Sequence, residues 1–277
     1  MSGHPLEHRI RRLLASMGDE EEADAALSQL VKLGKDALPC LIPILGQDES
    51  WESRRDSAIA LGAIGDAGAI DALVCAMGDE DGDVSYHAGE ALAKIGEAAL
   101  SPLFAALESG KPKTRRRAAH ALSGLGDARV PPKLIGMLAD SNPIVRKAAA
   151  YSLGKRKEES AIFPLISTLL DTDSSVRKEC CDALRAIGPR DARDLRFLQR
   201  TLNCLRQMQE KGEVQAQDLP SLEALYESWA HKLGAACKEN HEGLAGIPPR
   251  TTNRPPFRRN GLHNGKRAAV LALRTRR

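Results

Sequence analysis

ALGAIGD (Ala60–Asp66), ALAKIGE (Ala91–Glu97), ALSGLGD (Ala121–Asp127), SLGKRKE (Ser152–Glu158) and ALRAIGP (Ala183–Pro189) are five copies of one word. A weaker copy, LVKLGKD, begins at Leu30. Anchored on the second glycine, the copies stand at Gly34, Gly65, Gly96, Gly126, Lys157 and Gly188, in steps of 31, 31, 30, 31 and 31 residues. A register held that closely over five steps is the mark of a repeat architecture, and it takes precedence over any other fold argument.

Working outward from the word, each unit reads as two helices. The first carries apolar residues at helical spacing, as in Leu73, Val74 and Met77 or Leu165, Ile166, Leu169 and Leu170. Prolines gather near its start (Pro39, Pro102, Pro131, Pro132, Pro164), where a missing N–H costs little. The second helix places Val145, Ala149, Ser152 and Leu153 on one stripe at i, i+4, i+7 and i+8. Glycine closes it, because glycine adopts the left-handed cap without a Cβ penalty. Asp66, Glu97 and Asp127 follow as potential caps of the next helix. Lys157 in the glycine slot predicts a turn closed in a different way.

One helix pair cannot bury its own apolar faces, whereas stacked pairs share them. The predicted fold is therefore all-α, an α-solenoid of about six helix pairs. Small residues inside the second helices (Ala58, Gly89, Ala119, Ala150) allow close approach between units. Residues 1–34 read as an N-terminal cap and 35–188 as the repeats proper. After Gly188 the register stops. Leu195, Leu198, Leu202, Leu205 and Met208 share one face, as do Leu222, Leu225, Trp229 and Leu233, so 189–240 reads as a helical hairpin cap. Residues 241–277, rich in Pro and Arg, read as an extended tail with KRAAVLALR as a potential helix on a partner.

Two further columns run through the units. Asp48, Asp79, Asp140 and Asp171 lie just before the second helices, and Arg54, Arg115, Arg146 and Arg177 lie near their starts. An Asp in the inter-helix turn can accept backbone N–H groups and pair with an Arg one unit along, so this reads as a structural ladder. Ser85 and Ser109 interrupt it.

The unit, Leu-x-Asp, then Val-Arg, then Ala-x-Ala-Leu-Gly-x-Ile-Gly-Asp, resembles the HEAT-like repeat of the phycobilisome-lyase type. The resemblance covers residues 35–188, and 5–34 more loosely. It implies a superhelical stack. Proteins built on such repeats include phycobilin lyases, deoxyhypusine hydroxylases and scaffolds, so the resemblance specifies a fold and leaves activity open.

Composition limits the function classes. The 277 residues are 28% charged, 42% apolar and only 3% aromatic, so Leu, Ala and Ile must fill the interior. No apolar run approaches the length of a membrane helix, and MSGHPLEHRIRRLL turns charged before any apolar stretch forms. A cytoplasmic protein is the expectation. From His241 onward nine Lys or Arg face one acid, a tail of +8 against the chain's +3, which leaves −5 for residues 1–240. The six cysteines are scattered without a CxxC pair and read as small buried residues.

Candidate chemistry sits on the second helices, whose outer positions are expected to line a concave face. Counting from the Val of Val-Arg, the third position holds Arg55, Tyr86, Arg116, Lys147 and Lys178. Arg117 widens this basic stripe, and Tyr151 offers a second aromatic anchor beside Tyr86. The pattern predicts a groove for an acidic protein segment. Two rival readings compete with it. Deoxyhypusine hydroxylases carry adjacent His-Glu pairs that hold iron. Here the matching positions are Arg55-Asp56, Tyr86-His87, Arg116-Arg117, Lys147-Ala148 and Lys178-Glu179, so no unit keeps the pair and no cofactor is expected. His87, Glu90 and His120 remain the residual metal candidates. Nucleic-acid binding would draw on the stripe and tail, but Asp79, Glu80, Asp81 and Asp83 interrupt the basic face and stacking aromatics are few. A bilin lyase activity rests on the resemblance alone. No Ser-His-Asp grouping, phosphate loop or GxSxG elbow appears.

Overall fold

The computed structural model describes residues 5–48, 50–211 and 219–241. Among them fourteen α-helices follow one another with no strand. They pair as α1 (Pro5–Ser16) with α2 (Ala23–Leu33), α3 (Leu38–Gln47) with α4 (Trp51–Ile64), and α5 (Ile70–Ala76) with α6 (Gly82–Ile95). Then come α7 (Leu100–Ala106) with α8 (Pro112–Leu122), α9 (Val130–Met137) with α10 (Pro143–Lys155), and α11 (Ile162–Thr168) with α12 (Ser174–Ile187). The long helices α13 (Ala192–Glu210) and α14 (Leu219–His241) end the series.

The pairs stack in two layers. Helices α2, α4, α6, α8, α10 and α12 touch in succession, and α3, α5 and α7 do the same on the other side. The shared interior is continuous from Ile10 to Trp229. Val84, Ala88, Ala91 and Leu92 are buried on α6, as are Val145, Ala149, Ser152 and Leu153 on α10. The position just after the first alanine of that stripe (Ala58, Ala119, Ala150) is also fully enclosed, because it packs against the next second helix. The protein is an all-α solenoid.

Local chemistry sets the helix ends. Ser50, Asp81, Asn142 and Asp173 each accept a backbone N–H from the first turn of α4, α6, α10 and α12, satisfying a donor the helix leaves open. Helix α8 differs: it begins at Lys111-Pro112 without a side-chain cap. Asp66 and Asp127 accept from the N–H two residues on, at 2.7 Å each, whereas Glu97 lies inside a short 3₁₀ turn and makes no such cap.

Lys157 takes the left-handed region itself, at φ +51°, and its turn closes differently from the glycine turns, as the sequence suggests. Lys157 N donates to Gly154 O and Glu158 N to Leu153 O, whereas Gly65, Gly96 and Gly188 each donate to the carbonyl four residues back. Gly126, by contrast, does not take positive φ, because α8 already ends at Leu122. Arg156 covers that end instead, donating to Leu122 O and Leu125 O, where a cation suits the negative helix terminus. The cysteines also divide: Cys180 and Cys181 are buried as expected, while Cys75 and Cys204 are exposed. Burial pushes the Cys180 thiol well above its ordinary value, which suits an inert core residue.

Helix α13, and α14 as far as Cys237, fold into the same compact unit as the repeats. Leu198, Leu202 and Leu205 of α13 and Leu222, Leu225 and Trp229 of α14 are buried. Arg206 on α13 pairs with Glu223 on α14 at 2.6 Å. The basic tail, 242–277, lies outside the described residues, and so does KRAAVLALR.

Candidate functional site

The Asp and Arg columns meet between units. Arg54 donates to both carboxylate oxygens of Asp79, 25 residues ahead, at 2.9 Å each. Arg115 does the same to Asp140 at 2.8 Å, and Arg146 to Asp171 at 2.6 and 2.7 Å. Each guanidinium also donates to a carbonyl in its own turn: Asp48 O, Ser109 O and Asp140 O. Arg177 donates to Asp171 O at 2.9 Å and is itself buried. At the first rung Arg11 of α1 reaches Asp48 at 2.9 Å. Burial alone would raise the Asp79 and Asp140 pKa values. The Arg54 and Arg115 guanidinium groups and one backbone N–H each outweigh it, so both carboxyls stay below their ordinary range.

One rung is missing, at both ends. Where the α6 unit should meet the α8 unit, Ser85 replaces the Arg and Ser109 the Asp, in the only step of 30 residues. Other groups span this junction. Arg117 Nε donates to Ser85 Oγ at 3.1 Å and Arg117 Nη2 to Gly82 O at 2.9 Å, while Lys113 Nζ reaches Asp79 O and Glu80 O.

Backbone contact differs as well. A Cβ placed on Gly62 of α4 would sit 2.6 Å from Ala91 of α6, and one on Gly154 of α10 would sit 2.7 Å from Ala183 of α12. Those helix pairs approach as closely as glycine permits. On α6 the equivalent residue is Ala93, and its Cβ lies 4.0 Å from where a Cβ on Gly124 would stand. A Cβ on Gly89 of α6 would likewise meet α8 only at ordinary contact, 3.6 Å from Arg117 O and 3.9 Å from Ala121 Cβ.

A groove of about 370 Å³ opens at that place. Tyr86, Glu90 and Lys94 of α6, Arg117 and His120 of α8, and Tyr151 and Lys155 of α10 line it, over Gly89 and Gly124. Tyr86 and Tyr151 are 45% and 44% exposed. His120 packs edge-on against Tyr151 with centroids 5.2 Å apart, and Arg117 lies over the Tyr86 ring at 5.5 Å. Burial, reinforced by Arg117, Arg116 and Lys155, pulls the His120 pKa down to about 4, so its imidazole is neutral at pH 7. Glu90 stands by Tyr86 and, with burial, raises the phenol's pKa.

The predicted stripe is therefore not one uniform surface. Arg55 is half-buried, pairs with Asp56 at 2.8 Å and lies over Trp51 at 5.2 Å. Arg116 is half-buried with its Nε lacking a partner, whereas Lys147 and Lys178 are exposed. Burial holds the Glu179 pKa up while Lys147 and Lys178 pull against it, so an acid is interleaved with those lysines. Tyr86, Arg117 and Tyr151 are brought together; Arg55, Arg116, Lys147 and Lys178 do not line the groove. Of the metal candidates, Glu90 and His120 line the groove and His87 does not. His87 turns edge-on to Tyr86, and burial and Arg55 lower its pKa, while His120 faces Tyr151. Among the described residues no three His, Cys, Asp or Glu side chains form a set that could hold a metal. None of the helices there is long and apolar enough to cross a membrane. Lys94, Lys155 and the two glycines are groove residues that the stripe pattern missed, since they lie outside its columns.

Comparison with known proteins places this geometry. The family model for HEAT repeats matches residues 9–93, 73–152 and 131–204. Human deoxyhypusine hydroxylase is similar at 20% identity over 66% of this chain and 96% of that one, with a TM-score of 0.35. The CpcE–CpcF complex of phycocyanin lyase from Nostoc gives 24% identity over 64% and 98%, with a TM-score of 0.35. A designed armadillo repeat protein in complex with the peptide (KR)4 gives 22% identity over 67% and 100%, with a TM-score of 0.38. Likenesses this distant carry nothing about activity. The search of curated proteins gave no match. The repeat model spans most of the sequence and coincides with the stacked helix pairs, so the chain belongs to the HEAT-repeat family.

Proposed function

We propose that the protein is a scaffold or adaptor that binds a protein partner along the outer face of its second helices, through an acidic segment of that partner. The observation carrying this reading is a pair of half-exposed tyrosines set among cations on α6, α8 and α10. Tyrosine supplies large contact area at low entropic cost and recurs at binding hot spots, and a basic surround selects and steers an acidic counterpart. Lys147 and Lys178 extend the same charge along exposed helix faces. The seat of the protein in the cytoplasm belongs to this reading too.

The test is affinity capture with in-cell cross-linking, comparing wild type with Arg116→Glu/Lys147→Glu. Partners cross-linked to α8 and α10 in the wild type should be lost from the variant. Unchanged recovery with unchanged cross-link positions would remove this face from the interaction.

A further inference from the structure

The groove between α6, α8 and α10 has a more specific occupant than an acidic surface in general. Resting on the reading above, the geometry points to an anchor pocket for an aromatic side chain of the partner flanked by carboxylates, with the ring held between Tyr86 and Tyr151 and the acids met by Lys94 and Lys155.

Three observations carry this. First, the chain has three tyrosines in 277 residues, and two of them line this one groove, half out in water. They come from helices two units apart, and Tyr151 is near enough to act electrostatically on Tyr86. Second, the floor is made by Gly89 and Gly124 with the small side chains of Ala93, Ala121 and Ser123. Arg117 lies over the Tyr86 ring and His120 edge-on to Tyr151, and the groove between α6 and α10 still keeps about 370 Å³ open, ample for one aromatic side chain. Third, the charges divide into those already used and those left over. Glu90 is engaged with the Tyr86 hydroxyl, and Arg117 is tied to Ser85 and Gly82. Among the described residues Lys94 and Lys155 have no carboxylate partner. Edge-to-face ring packing rewards an aromatic entrant, and two unpaired ammonium groups at the rim reward acids on either side of it.

The test uses the full chain and a fluorescein-labelled peptide of one phenylalanine flanked by two glutamates on each side. Two controls replace the phenylalanine by alanine or the glutamates by lysines. Fluorescence anisotropy should show saturable binding of the first peptide and at least about tenfold weaker binding of both controls. Tyr86→Ala/Tyr151→Ala and, separately, Lys94→Glu/Lys155→Glu should each weaken the first peptide by about tenfold or more, and Lys178→Glu, outside the groove, by less than about twofold. Circular dichroism on each variant confirms that the helices persist. Absence of binding by the folded wild type, or equal binding of the alanine control, overturns the anchor pocket. If the groove variants bind normally while Arg116→Glu/Lys147→Glu does not, the pocket fails and the broader face stands.

Discussion

The junction between α6 and α8 and the junctions α4–α6 and α10–α12 solve the same packing problem differently. Between α4 and α6, and again between α10 and α12, a glycine on one helix lies against an alanine on the next. A bidentate Arg–Asp rung joins α4 to the turn of the following unit, and another joins α10 to its own. Between α6 and α8 the rung is absent, Ala93 replaces the glycine, the repeat is one residue shorter and α8 lacks an N-cap side chain. The groove forms at the second kind of junction. In a stack held together by nearest-neighbour interfaces, a site can open only where one interface gives up close contact. The chain places both of its exposed repeat tyrosines there.

The comparison breaks most decisively at the glycines. Gly62→Val and Gly154→Val force a Cβ within 3 Å of an alanine backbone, so each should lower stability by about 3 kcal/mol or more in chemical denaturation. A loss under about 1 kcal/mol would mean that the helices part easily there.

Next in size are the rungs. Arg115→Met leaves Asp140 mostly buried without its cation and should cost about 2 kcal/mol at pH 7, against about 0.5 kcal/mol for Ser85→Ala at the rungless junction. The sign with pH follows from the lowered pKa of Asp140. Its contribution is complete above the ordinary carboxyl value of 3.8 and is lost as pH falls through the lower folded value. Stability of wild type should therefore drop more steeply than that of Arg115→Met below about pH 4. Parallel acid titrations of the two would assign the loss to other carboxyls.

Smaller effects run in the opposite direction. Lys157→Gly relieves a left-handed residue and should stabilise by about 1 kcal/mol, visible as a higher denaturation midpoint. Gly89→Ala puts a methyl at ordinary contact distances, 3.6 and 3.9 Å, in the middle of α6, and should stabilise by about 0.5 kcal/mol through helix propensity. If Gly89→Ala instead destabilises as Gly62→Val does, the two kinds of junction are not different in kind.

Much of this architecture was readable in the chain. The word spacing marks every second helix, and the apolar stripe is the buried one because a 3.6-residue period allows only one face inward. The Asp and Arg columns, and their joint interruption at Ser85 and Ser109, are also visible in sequence, since each rung needs residues a fixed distance apart. A different closure at Lys157 was visible, but not that the lysine itself would take a left-handed conformation. The turn demanded by the packing overrides the side chain's preference, at a cost that sequence alone does not reveal. The exposure of Cys75 and Cys204 was hidden for a similar reason: a small residue fits either side of a helix, and its neighbours decide.

The candidate site shows the same division. Counting along each unit put Tyr86 in one column and Tyr151 in another, together with cations that turned out to be scattered among paired, half-buried and exposed settings. Periodicity, by itself, determined that this is a stack of helix pairs, where each helix begins and which face it buries, because those follow from the chain's own repeat. Only the tertiary structure decided that α6 and α8 stand apart, that Arg117 is tied across the gap, and that tyrosines two units apart share one groove. Those outcomes depend on the distance between neighbouring helices, which no one-dimensional pattern contains.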